Sequence, residues 1–82
     1  MSEHSIYANF KILIENNLGL IIKICRIYSD DSEEFNDYFQ EVTLQLWKSY
    51  QNFRGDSSLS TWVYRVTLNV CLLQVKKKKR NK

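Results

Sequence analysis

With 82 residues, the chain has room for one domain, and a chain this short hides only ~60% of the surface its unfolded form exposes. A hydrophobic content of 44% with 13% aromatics excludes an intrinsically disordered segment, and the lack of proline with only two glycines argues against a turn-rich β fold and for long helices. The net charge of +3 hides a segregation, because residues 1–41 carry three basic and eight acidic side chains whereas residues 42–82 carry nine basic and one acidic; the first half suits a basic protein surface and the second attracts polyanions.

The first helical pattern runs from Ile6 to Tyr28, with Ile6, Phe10, Leu13, Ile14, Leu18, Ile21, Ile24 and Cys25 recurring at three- and four-residue steps. Leu20, Ile22 and Ile27 fall off this stripe, so the second half of the pattern is apolar nearly all round and is expected to be deeply buried or to carry a second interface. Gly19 costs ~1 kcal/mol relative to alanine inside a helix and marks either close packing or a break near Asn16 and Asn17. Residues 1–5 are expected to fray.

The cluster Ser29-Asp30-Asp31-Ser32 reads as a turn and cap, with Asp31 and Glu34 spaced as a capping box. In the helix that follows, Phe35, Phe39, Val42, Leu46 and Tyr50 give the core-facing spacing. Asp37, Gln40, Glu41, Leu44 and Trp47 fall along a neighbouring face. Two carboxylates and an amide there supply orientation, and an indole supplies area, which is the composition of an interface anchor. Trp47 fits the core equally well, and a charged helix face is also what plain solvation produces.

Gln51 to Asp56 forms the only long connection, and Ser57 or Ser58 can cap the last helix. Phe53, Arg54, Gly55 and the short polar residues after them suit an extruded nucleic-acid base, since Phe53 can stack and Arg54 can meet phosphate. Turn chemistry followed by a cap explains the same residues. In the last helix Trp62, Val63, Val66, Val70 and Leu73 supply the buried stripe, while Arg65 and Asn69, one turn apart, allow a phosphate contact and a base-edge contact from one face. Lys76 and Lys77 open a basic run, Lys76 to Arg80, that suits the negative end of the helix and adds affinity for nucleic acid without reading its sequence.

Cys25 and Cys71 fit no metal-ligand spacing and read as buried free thiols of a reducing compartment. The acidic N-terminus is unlike a signal peptide. The apolar segment Leu18 to Tyr28 is too short and too charged to span a bilayer. His4 is the only histidine, no nucleophile is paired with a base, and glycine-rich phosphate loops are missing, so neither an enzyme nor a cofactor is expected.

The order and spacing of Asp37-x-x-Gln40-Glu41-Val42-x-Leu44-x-x-Trp47, the Phe53 to Ser58 loop and Thr61-Trp62-Val63-Tyr64-Arg65-Val66-x-x-Asn69 together resemble region 2 of bacterial sigma-70 family factors of the small, extracytoplasmic-function type, over roughly Phe10 to Arg80. The resemblance implies an all-α bundle of three long helices, four if the first breaks near Gly19. It implies docking of Asp37, Gln40, Glu41, Leu44 and Trp47 on the clamp coiled coil of the largest subunit of RNA polymerase. It also implies capture of the single-stranded non-template −10 promoter element, with Phe53, Arg54 and Ser57 around a flipped base and Arg65, Asn69, Lys76 and Lys77 along the DNA. A cytoplasmic protein with an anti-sigma partner is consistent with this. Leu68, Leu72 and Leu73 depart from the family pattern, being bulkier or less polar than is usual there. The helix-turn-helix domain that reads the −35 element in that family has no counterpart in these residues, so the chain is expected to be one domain of a longer protein, with residues 76–82 starting a linker. Two rivals remain at this point. A helix-turn-helix regulator would use shorter helices and a tighter turn, and a helical protein-interaction module would need neither polymerase nor DNA.

Overall fold

The computed structural model describes residues 3–53, 55 and 58–80, and every regular element among them is helical. In chain order these are α1 (Glu3–Asn16), α2 (Leu18–Tyr28), α3 (Ser32–Tyr50) and α4 (Leu59–Arg80). The single apolar pattern of the first 28 residues therefore makes two helices. The hinge is Asn17, whose backbone leaves the helical region at φ −116° and ψ 11°. Its N–H reaches the carbonyls of both Leu13 and Ile14 at 3.2 Å, and its side-chain amide donates to the Leu13 carbonyl at 2.9 Å. A buried asparagine thus satisfies the groups that the bend would otherwise strand. Gly19 does not mark close packing, since a Cβ placed there would meet nothing within 4 Å. Leu18 is correspondingly corrected from the core stripe: Asn17 takes the inward position and Leu18 is exposed.

α3 starts as its residues dictate. Asp31, in extended conformation, accepts a hydrogen bond from the Glu34 N–H at 2.8 Å, while the Glu34 carboxylate reaches back to the Asp30 N–H at 2.8 Å. The box is one residue wider than its usual form, and it places carboxylates at the positive end of the helix. α4 is capped by Ser58, whose hydroxyl accepts from the Thr61 N–H at 3.2 Å and donates to the Thr61 hydroxyl at 2.8 Å.

α4 packs against both α2 and α3, and α1 lies across α2 and α3. Ile21, Cys25, Val42, Leu46, Val63, Thr67 and Cys71 are completely buried where these helices meet. Each large aliphatic side chain among them contributes ~1.5–3 kcal/mol relative to exposure. On α3 the buried arc runs through Tyr38, Val42 and Leu46, with Phe35, Phe39 and Tyr50 only flanking it. It is rotated from the expected stripe toward Tyr38, because α4 covers that side. Leu73 is the second correction: it is 58% exposed on the rim of an open groove between α3 and α4. Ile27, expected in a buried helix or an interface, is 64% exposed.

Six aromatic rings form a continuous seam from α1 to the loop before α4. Trp47 meets Tyr7 and Phe10 edge-on, with centroids 6.2 and 5.0 Å away. Phe10 touches Tyr50 at 5.5 Å, Tyr50 touches Trp62 at 6.2 Å, and Trp62 touches Phe53 at 5.1 Å. Offset and edge contacts of this kind favour a fixed geometry, so the seam anchors the start of the connection between α3 and α4.

Candidate partner and nucleic-acid interface

On α3, the side chains of Asp37, Gln40 and Leu44 are exposed and that of Glu41 is half-buried, with its carboxylate accepting from the Gln45 amide at 3.3 Å. Spacing places these four on one surface of the helix. Lys48, exposed one turn beyond Leu44, extends the same stripe and was not anticipated from the acidic pattern. Trp47 sits apart: half-buried, it faces α1 within the aromatic seam. It packs against α1 on one side, and another edge borders a recess with Ile6, Tyr7 and Gln51.

On α4, Arg65, Asn69, Lys76 and Lys77 are all exposed. Arg65, Asn69 and Lys76 recur at helical steps along one face, and Leu72, 46% exposed, lies between them. Tyr64, also exposed, points to a different side of the helix at this spacing. Phe53 is half-buried against Trp62, and it borders an open recess of about 530 Å³ lined by Ile6, Asn9, Tyr50, Gln51, Phe53 and Leu59. Arg54 and Ser57 lie outside the described residues. Gly55 has φ +79°, a left-handed conformation that glycine adopts without steric cost.

The helices bring together two sets of residues that looked separate in the sequence. A groove of about 340 Å³ between α3 and α4 is walled by Glu41, Gln45 and Ser49 on one side and by Asn69, Leu73 and Lys77 on the other. Glu41 of the acidic face of α3 and Asn69 and Lys77 of α4 therefore line one groove. The sequence offered no direct sign of this, because it follows from how α3 and α4 pair.

Electrostatics at the far end of the domain are set by Lys78. Its ammonium bridges Asp30 and Glu34, the latter at 2.7 Å, which raises its pKa above the usual lysine range through those two hydrogen bonds. The lysine run is thus divided, with Lys78 turned to the start of α3 and Lys76 and Lys77 to solvent. Burial, reinforced by the Glu34 carboxylate, pushes the Tyr38 phenol up. Tyr38 and Thr67 each bury a hydroxyl that finds no hydrogen-bond partner. Among the described residues no cluster of three or more histidine, cysteine or carboxylate side chains is placed to hold a metal ion, and no helix is long and apolar enough to cross a membrane. The helices α3 and α4, 19 and 22 residues long, are joined across positions 51–58, which is unlike the tight turn of a helix-turn-helix unit.

The family described as Sigma-70 region 2 matches residues 13–81. Among curated proteins, the ECF RNA polymerase sigma factor SigG of Mycobacterium tuberculosis is 36% identical over 56 residues, covering 68% of this chain and 15% of that protein. The RNA polymerase sigma-H factor of Pseudomonas aeruginosa is 38% identical over 52 residues, covering 63% of this chain and 25% of that protein. The ECF RNA polymerase sigma factor SigM of M. tuberculosis is 30% identical over 57 residues, covering 70% and 29% respectively. The chain thus spans less than a third of the length of these relatives. No solved structure matches it.

Proposed function

Since the chain belongs to the sigma-70 region 2 family, in its extracytoplasmic-function branch, we propose that it is a non-enzymatic domain of a cytoplasmic transcription initiation factor that docks on RNA polymerase and captures single-stranded promoter DNA. The observation that carries this reading is the shared groove, with a carboxylate and amide wall from α3 facing an amide and ammonium wall from α4. A partner held by Asp37, Gln40, Glu41 and Leu44 would leave Arg65, Asn69, Lys76 and Lys77 free to follow a DNA strand alongside it.

In this mechanism α3 supplies the protein contact. Asp37 and Glu41 attract the basic side of the polymerase clamp coiled coil, Gln40 fixes orientation by hydrogen bonding, and Leu44 buries apolar area, while Trp47 holds α3 to α1 and sets the angle of that face. The DNA contact comes from Phe53 and α4. Unstacking a base costs a few kcal/mol, and stacking on an aromatic ring returns ~1–3 kcal/mol, so the recess beside Phe53 can trap a base that has left the duplex. Melting then proceeds by capture of the open state and needs no nucleotide hydrolysis.

Binding of this chain to a polymerase clamp fragment, followed by fluorescence anisotropy at two salt concentrations, tests the docking step. Gln40→Ala combined with Glu41→Lys is expected to abolish saturable binding with helicity intact. Unchanged binding by the double variant removes the docking role from this face. Asn69→Ala should leave clamp binding alone and weaken a single-stranded −10 oligonucleotide.

A further inference from the structure

We propose that Cys25 and Cys71 form an oxidisable dithiol, a modification site that closes under peroxide into an intramolecular disulfide joining α2 to α4. Both thiols are free and completely buried. They stand 46 residues apart in sequence, on α2 and α4, and their sulfurs face each other at 3.9 Å, with the Cys71 thiol donating to Cys25. The sulfurs must approach to about 2.0 Å for a bond, and they sit on two helices already packed against each other.

The chemistry needs access as well as proximity. The hydrogen bond with the Cys71 sulfur, reinforced by burial, pushes the Cys25 thiol up and draws the Cys71 thiol down, and because both are completely buried oxidant enters only after a local separation of α2 from α4. Hydrogen peroxide is small enough to enter such an opening. One thiolate attacks it, forming an S–O bond, breaking the O–O bond and releasing hydroxide, which leaves a sulfenic acid. When the helices close again, the second thiol attacks that sulfur. The S–S bond forms, the S–O bond breaks, and the departing hydroxide takes up the second thiol's proton as water. One peroxide and two thiols thereby give one disulfide and two waters. The facing thiol resolves the sulfenic acid before a second peroxide reaches it. This site is independent of the sigma reading.

The reduced chain, exposed to hydrogen peroxide and examined by mass spectrometry, is expected to lose two hydrogens while remaining monomeric. Trypsin should then yield the peptide 24–26 joined to the peptide 66–76, separable by dithiothreitol, and Tm should rise by roughly 10–25 °C. Cys25→Ala and Cys71→Ala, each checked for helicity, should gain oxygen on the remaining sulfur instead. The wild-type peptide map does not depend on how those variants fold. Oxygen adducts without a joined peptide, a joined peptide found only in covalent dimers, or unreacted thiols under an exposure that fully oxidises the urea-unfolded chain would each overturn the proposal.

Discussion

Thr67 is completely buried and its hydroxyl has no hydrogen-bond partner, which makes Thr67→Val a direct test of how the centre of this domain is built. In the unfolded chain water solvates that hydroxyl, and folding removes the solvation without replacing it, at a cost of ~1–3 kcal/mol. Valine keeps the branched shape and exchanges the hydroxyl for a methyl group, so the variant should be more stable by about 1–2 kcal/mol. At roughly 2.1 cal/mol/K of unfolding entropy per residue, an 82-residue chain has about 0.17 kcal/mol/K, and the gain becomes a Tm rise of about 6–12 °C. Thr67→Ser keeps the hydroxyl and deletes the methyl, and should lose ~1 kcal/mol. Thermal melts by circular dichroism, with urea titrations to confirm unchanged m-values, measure both. A fall in Tm for Thr67→Val would show that the hydroxyl is satisfied and that the helix contacts around it are not as described.

Gly19→Ala, in an open position of α2, should stabilise by ~0.5–1 kcal/mol in a urea titration, since alanine narrows the unfolded ensemble and meets no neighbour. Asp31→Ala should cost ~1 kcal/mol by loss of the α3 cap, and Asp31→Asn should recover most of it; an equal loss in both would assign the effect to charge instead. Above pH 10.0, the ordinary tyrosine value, the unfolded chain ionises Tyr38 while the folded chain holds it neutral, and above 10.5 the unfolded chain loses the Lys78 proton that the folded chain retains. Both contributions are therefore intact below these values and decline as pH rises through the higher folded ones. Tyr38→Phe should flatten the loss of stability as pH rises above 10.0, and an unchanged slope in denaturant titrations would exclude Tyr38 as a source.

The helices and caps were legible in the sequence because they depend on local chemistry. The three-and-four spacing gave α3 and α4, Asp31 and Glu34 marked the start of α3, and Asn16, Asn17 and Gly19 marked the place where the first pattern breaks. What was not legible depended on the pairing of distant helices. Thr67 looks polar in isolation and Tyr38 lies off the Phe35 and Phe39 spacing, yet both are inside because α4 covers that side of α3. Leu73 continues an apolar stripe whose partner surface is a groove, so it remains exposed. Trp47 shows the same limit, since its period suits the candidate docking face and its ring contacts with Tyr7 and Phe10 of α1 come from tertiary packing. The joining of the Glu41 and Asn69 faces into one groove likewise follows from tertiary pairing, which no spacing rule encodes.

The contact of Lys78 with Asp30 and Glu34 gives the basic end of α4 an internal counterion. A phosphate that engages this ammonium must displace two carboxylates of the same chain, so the exchange releases no salt ion to the solvent. The four lysines at 76–79 should then respond to salt as about three, with a slope of log affinity against log salt concentration shallower by close to one unit than their number implies. Neutralising Asp30 and Glu34 would return the fourth.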